Sequence, residues 1–212
     1  FQRSESVATL SGQLKNILLA ERSLLNFLQH LCGIASLTKA FVDALQNPNI
    51  VVCDTRKTTP GLRYLEKAAV VAGGGHNHRL SLSDMVLIKE NHIDGVGSLE
   101  ILQKKLIKFK QNYPKIAIQI EARDLIELKA LPIKYCDFIL LDNFSLNDLD
   151  QAIQYLNDIS FLGQIEVSGN INLNTIKNYK NKAIHRISIG ALTHSAPIID
   201  LSLLLEKANN YA

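Results

Sequence analysis

The chain has 212 residues, 47% of them hydrophobic, enough for one large domain or a domain plus a fragment around a sizeable core. No run of about 18 apolar residues occurs, so no membrane span is expected. With 23 basic and 20 acidic residues the net charge is +3, too even a balance to argue for a nucleic-acid partner.

The opening stretch, FQRSESVATLSG, has no apolar core of signal-peptide type and no initiating Met, so the chain reads as processed, tagged or truncated. Apolar residues then recur at three- and four-residue spacing: Leu14, Ile17, Leu18, Leu24, Leu25, Leu28 and Leu31. That period predicts a helix over 14–46, with a bend or break at Gly33 and a stop at Asn47-Pro48. Beyond it, short β-rich runs alternate with amphipathic stretches. The runs are IVVCD (50–54), MVLIK (85–89), IAIQIE (116–121), FILLD (138–142), QIEVS (164–168) and RISIG (186–190). Helix-like segments cover 62–72, 97–112, 124–130, 147–157, 173–179 and 197–209. Most strand starts lie about 20 to 35 residues apart, the span of a βα unit, and the near-continuous apolar runs suit parallel strands buried on both faces. Cys32, Cys53 and Cys136 sit inside apolar runs and are odd in number, which predicts free thiols in a reducing, cytoplasmic compartment.

Each strand run ends in polar groups: Thr55-Arg56-Lys57 after Asp54, Lys89-Glu90-Asn91-His92, Glu121, Asp142-Asn143, Ser168-Gly169-Asn170, and Ser188 with Gly190. In a parallel barrel these ends share one rim, where chemistry sits. Exposed strand ends are often polar for solvation alone, but solvation does not predict patches this rich in Arg, Lys, Asp and Glu. Arg56, Lys57, Arg79 and Lys89 would meet there, with Arg63 beside them. Clustered cations repel unless an anion joins them, so the expected ligand carries several negative charges. Glu121 and Asp142 would face hydroxyls, or a Mg²⁺ that phosphates also hold. The small-residue ends SGN (168–170) and SIGA (188–191) fit a phosphate cradle.

The stretch GGGHNHRLSLSDMVLIKENH (73–92) holds His76, His78 and His92, enough for a zinc site by number alone. Arg79 and Lys89 are immediate neighbours, and cations beside a divalent metal are unfavourable. An anion cage of histidine and arginine is the better reading. His30 and His185 read as structural, and His194 less firmly so, because it follows the sixth strand.

Taken together, AERSLLNFLQHLCGIAS (20–36), DTRKTTPGLRYLEK (54–67), GGGHNHRLSLSDMVLIKENHI (73–93), LLDN (140–143), EVSGNI (166–171) and ISIGALTHSA (187–196) resemble the quinolinate phosphoribosyltransferase family. The resemblance implies an open, incomplete parallel α/β barrel of about six strands, preceded by an α/β sandwich domain of which this chain keeps a remnant. Residues 1–19 would end that sandwich domain and start the connecting helix, 20–196 would form the barrel, and 197–212 would be a helix returning towards the sandwich.

It also implies a reaction. Quinolinate and phosphoribosyl pyrophosphate, with Mg²⁺, give nicotinate mononucleotide, pyrophosphate and CO₂. Arg56, His78 and Arg79, with Lys57 nearby, would hold the quinolinate carboxylates, Thr55 would belong to the substrate site, and Lys57 and Lys89 would meet phosphoribosyl pyrophosphate. Glu121 and Asp142 would serve the ribose hydroxyls, the developing ribose cation and the Mg²⁺. Ser168, Gly169, Asn170, Ser188, Ile189 and Gly190 would cradle the 5′-phosphate. Arg22 would reach the neighbouring site of a homodimer. The family's usual SGGI reads SGNI here, and Ser81 stands where a Gly is usual. A molybdenum-transport-associated relative of the same fold, or an inactive anion-binding homologue, are the alternative readings.

Overall fold

The structure, a computed structural model, describes residues 5–206. It begins with one long helix, α1 (Leu14–Leu45). The C-terminal half of α1 turns Ile34, Thr38, Phe41 and Leu45 inward, the three- and four-residue spacing of a single buried stripe. Gln46 then takes a left-handed φ of 51°, and Pro48 cannot continue the helix. Gly33 does not break α1. A Cβ there would lie 2.0 Å from the Pro197 carbonyl oxygen, so the glycine admits a crossing chain. The N-terminal half leaves Leu14, Leu18, Leu19 and Phe27 exposed.

Six strands follow: β1 (Val51–Cys53), β2 (Met85–Ile88), β3 (Ala117–Ala122), β4 (Phe138–Asp142), β5 (Gln164–Ser168) and β6 (Arg186–Ser188). They pair in the order β1-β6-β5-β4-β3-β2, every pair parallel. Five α-helices stand between them: α2 (Arg63–Ala72), α3 (Glu90–Gly95), α4 (Leu99–Asn112), α5 (Leu125–Ala130) and α6 (Leu146–Asp158). A short α7 (Ala191–His194) follows β6. Side chains cap three of these helices: Ser98 Oγ accepts from Ile101 N (3.3 Å), Asp124 from Glu127 N (2.8 Å), and Ser145 Oγ from Asp148 N (3.1 Å).

The edge strands β1 and β2 do not pair, so the barrel stays open. The chain leaving α2 lies against the free edge of β1 instead: His76 N donates to Val52 O (2.8 Å) and Asp54 N to His76 O (3.1 Å). On the helix-facing side of the sheet Ile118, Ile120, Ile139, Leu141, Val167 and Ile187 join one core cluster with Leu128 and Leu149. The concave side is not the apolar surface expected for strands buried on both faces. Register aligns Glu121, Leu140, Glu166 and Arg186 in one row, and Gln119 and Glu166 are wholly buried.

Three further expectations change. Segment 173–179 is a turn leading into a 3-10 helix, Ile176–Tyr179. Residues 197–206 of the expected C-terminal helix carry no helix; they run along α1, where Ile199 N donates to Gln29 O (3.2 Å) and Gln29 Nε2 to Leu201 O (2.9 Å). The last part of that expected helix, 207–209, and the first four residues of the expected sandwich remnant lie outside the described residues. Finally, α3 and α7 were not expected from the sequence. Cys53 and Cys136 are buried free thiols as expected, while Cys32 is half-buried.

Candidate functional site

The rim begins where β1 ends. Asp54 is wholly buried and pairs with buried Lys67 of α2 (2.5 Å). Burial pushes the Asp54 carboxyl up, and Lys67 pulls it back. The same two groups hold the His-Asn-His segment: Asp54 Oδ1 accepts from His78 N (2.8 Å), and Lys67 Nζ donates to His78 O (3.0 Å). Turned so that its nitrogen faces the two oxygens, the Asn77 amide donates to Asp54 Oδ2 (2.7 Å) and to Lys67 O (3.0 Å). A buried ion pair thus stitches the open seam to β1 and α2.

That stitching brings cations together. Arg63 does not face the rim as a free charge; its guanidinium donates to Thr58 Oγ1 (3.0 Å), Leu80 O (3.3 Å) and Arg56 O (3.2 Å). It shapes the two loops that carry Arg56 and Arg79. Arg79 donates to Met85 O (3.0 Å), and its pKa is depressed by burial and then by the charge of Arg56. Arg56 Nε is buried without a hydrogen-bond partner. Two arginines that repel, one with an unpartnered buried donor, fit an acceptor-rich planar anion. Ser81 fits its turn without a glycine, since Asp84 accepts from Leu80 N (2.8 Å), Ser81 N (3.0 Å) and Ser81 Oγ (3.0 Å).

The histidines have separate partners. His78 Nδ1 accepts from Arg79 N (2.8 Å), and His92 Nδ1 from Lys89 N (3.0 Å). His76 is held through its backbone, and His30 Nε2 meets buried Glu66 (2.7 Å). Among the described residues no group of three or more His, Cys, Asp or Glu side chains is placed to hold a metal ion. Burial lifts the Cys53 and Cys136 thiols to about 12, which leaves them poor nucleophiles.

Across the concave face, Lys89 Nζ donates to Glu121 Oε2 (2.8 Å). Burial and a hydrogen bond shared with Glu90 raise Glu121 to about 7, against the pull of Lys89. Asp142 accepts from Ser168 Oγ and from Asn143 Nδ2 (2.7 Å), and Asn143 Oδ1 accepts from Asn170 Nδ2 (3.0 Å). Gly169 has φ +97°, and a Cβ on it would sit 2.2 Å from Asn143 Oδ1. Asn170 takes φ 51°, the left-handed conformation that asparagine tolerates better than most residues.

The last part of the rim follows β6. Thr193 Oγ1 donates to Lys57 O (2.7 Å), and a Cβ on Gly190 would lie 3.2 Å from Lys57 Cδ. Lys57 therefore stands beside Gly190, while Thr55 Oγ1 accepts from Lys57 N (3.0 Å). Ile189 is buried, and its N–H is used by Cys53 O (2.9 Å). Ser188 Oγ points inward and donates to Glu166 Oε1 (2.6 Å). Arg22 is exposed on α1, and no hydrogen bond or ion pair among the described residues joins it to this group. Sequence reasoning passed over Glu166, because it lies mid-strand and not at a strand end.

A family profile described as the C-terminal domain of quinolinate phosphoribosyl transferase matches residues 34–204. The chain belongs to the quinolinate phosphoribosyltransferase family. The nicotinate-nucleotide pyrophosphorylase (carboxylating) of Mycobacterium leprae is 37% identical over 202 residues, which is 95% of this chain and 70% of that protein. The quinolinate phosphoribosyltransferase (decarboxylating) 1 of Nicotiana glauca is 37% identical, over 93% of this chain and 59% of its own length. Among solved structures, NadC from Streptococcus pyogenes superimposes with a TM-score of 0.80 at 44% identity, covering 89% of this chain and 65% of that one. This member of the quinolinate phosphoribosyltransferase family thus spans 59% to 70% of these relatives.

Proposed function

We propose that this chain is the catalytic part of a quinolinate phosphoribosyltransferase. It would join quinolinate to phosphoribosyl pyrophosphate with loss of pyrophosphate and CO₂, a step of NAD biosynthesis. The observation that carries the reading is the convergence of Arg56 and Arg79 at the open seam, with Arg56 Nε buried and unpartnered. Each guanidinium suits one carboxylate, and quinolinate has two on adjacent ring carbons. The named relatives favour this over the molybdenum-transport-associated reading and over an inactive homologue.

In the reaction the leaving pyrophosphate and the attacking pyridine nitrogen flank the ribose C1. Lys57, beside Gly190, and Lys89, beside Glu121, offset the charge of the phosphates. Glu121 and Asp142 face the ribose, where their charge favours a developing oxocarbenium ion. Asp142 is held for this by Ser168 and Asn143. Mg²⁺ would be held by the pyrophosphate with Glu121 and Asp142 and would stabilise the leaving group; two carboxylates suit an ion that keeps most of its ligands from water and phosphate. The turn at 168–170 and the Gly190 end of β6 would take the 5′-phosphate, Ser188 Oγ and Ile189 N being bonded to Glu166 and Cys53. Quaternisation of the pyridine makes the ring an electron sink, the adjacent carboxylate leaves as CO₂, and the ring carbon keeps the electron pair and takes up a proton from solvent. Arg22 would complete the site of a second copy in a homodimer, across the exposed apolar half of α1. The setting would be cytoplasmic; among the described residues no helix is long and apolar enough to cross a membrane.

The test is calorimetric titration of quinolinate and of nicotinate. Binding near the micromolar range for quinolinate, far weaker for nicotinate, is expected, with Arg79→Ala losing about tenfold to a hundredfold. Equal affinity for the two acids would defeat the dicarboxylate assignment. Mixing Arg22→Ala with Arg79→Ala chains should restore turnover that neither shows alone; no recovery would remove Arg22 from the neighbouring site.

A further inference from the structure

Glu166 sits in the middle of β5 on the concave side, wholly buried. A buried carboxylate costs free energy unless its oxygens are paired. Here both oxygens are occupied. Oε1 accepts from Ser188 Oγ (2.6 Å) and faces His78 Nε2 at 3.2 Å. Oε2 accepts from Gln119 Nε2 (2.9 Å) and lies against Arg186 Nε, close but poorly aligned for a hydrogen bond. Burial opposes ionisation, yet the facing His78 N–H, the charge of Arg186 and the Ser188 hydroxyl outweigh it and hold the Glu166 carboxyl below its ordinary value. With both oxygens facing buried partners, Glu166 is spoken for inside the protein.

The consequence falls on His78. Its Nδ1 accepts the Arg79 N–H at 2.8 Å, so that nitrogen presents a lone pair and the proton is on Nε2, facing Glu166. The opposite tautomer would set two N–H groups against each other at Nδ1 and two acceptors at Nε2. The His78 ring is therefore a strut between Glu166 and the backbone of Arg79. We propose that Glu166 is a positioning residue that locks the tautomer of His78 and, through it, the place of Arg79 in the anion cage.

This rests on the dicarboxylate reading of the cage, but the tautomer can be measured without any substrate. The rival view is that Glu166 merely neutralises Arg186, whose guanidinium stacks 3.8 Å from the Phe138 ring centroid, and fills the interior. Two double variants separate the views. Both remove the ion pair, which apolar replacements often tolerate. Glu166→Gln with Arg186→Met leaves an acceptor oxygen for His78 and Ser188. Glu166→Leu with Arg186→Met leaves none.

The readouts are the ¹⁵N imidazole signals of His78 and the affinity for quinolinate. The wild-type protein and the Gln/Met variant should show the Nε2–H tautomer and bind within about threefold of each other. The Leu/Met variant should show mixed tautomers and bind about tenfold more weakly, the loss of one buried hydrogen bond. Equal affinity and the same tautomer in both double variants would overturn the proposal. So would an Nδ1–H signal in the wild-type protein, a measurement that needs no variant to fold. If the wild-type protein shows the Nε2–H tautomer but binds no quinolinate, the positioning geometry stands and the substrate assignment falls.

Discussion

At the scale of single residues, Glu121 links the site to pH. Its ordinary pKa is 4.5 and in the folded chain it is raised to about 7, first by burial and then by Glu90. Between those values the folded state binds more protons than the unfolded state. Stability therefore falls as pH rises through the window and levels off above it, with a slope of at most about 1.4 kcal/mol per pH unit. Glu121→Gln should flatten this slope in urea unfolding; an unchanged slope would assign the extra proton elsewhere. The sequence marks Glu121 because it ends an apolar run. It does not mark Glu166, since a lone charge inside such a run looks like noise until register brings Gln119, Ser188 and Arg186 to it. The sequence marks Asn170 as a departure from SGGI but does not show what its side chain does. Its left-handed φ is one that asparagine tolerates, and its bond to Asn143, and so to Asp142, needs two strand ends placed side by side.

Among elements, the strands were readable because apolar runs of four to six residues between polar turns have few other uses. Their rim was readable for the same reason. The short helices α3 and α7 were not, being one or two turns with no apolar stripe long enough to carry a period. Over 197–206 the expected helix does not form, and Ile198, Leu204 and Leu205 are left exposed. The segment instead bonds to α1 at Gln29, over the notch left by Gly33. Gly33→Ala tests that crossing. Alanine should favour the helix by about 1 kcal/mol, but its Cβ would meet backbone at 2.0 Å, an overlap that costs about 1–3 kcal/mol or displaces the segment. The variant should melt at a lower temperature and lose exchange protection at the Ile199 amide. A higher melting temperature with protection intact would show that the crossing adds nothing.

For the molecule as a whole, the open seam and the strand order are one fact seen twice. β2 to β6 are laid down in the sequence in the order in which they pair, so each strand finds its neighbour already present. β1 alone breaks that rule. It comes first in the chain and pairs only with β6, the last, through Val51 with Arg186 and Cys53 with Ser188. Closing so long a loop is entropically slow relative to the local pairings. During synthesis on the ribosome, α1 and β1 therefore emerge long before the strand that completes them, and the loop carrying Arg56 cannot meet the Gly190 turn until the rest of the sheet stands. Pulse-labelled hydrogen exchange during refolding should find the Val51 amide, which donates to His185 O, protected later than amides of β3 and β4; simultaneous protection would refute this order. On that order the stretch of rim between Lys57 and the Gly190 turn would be among the last parts of the barrel to form.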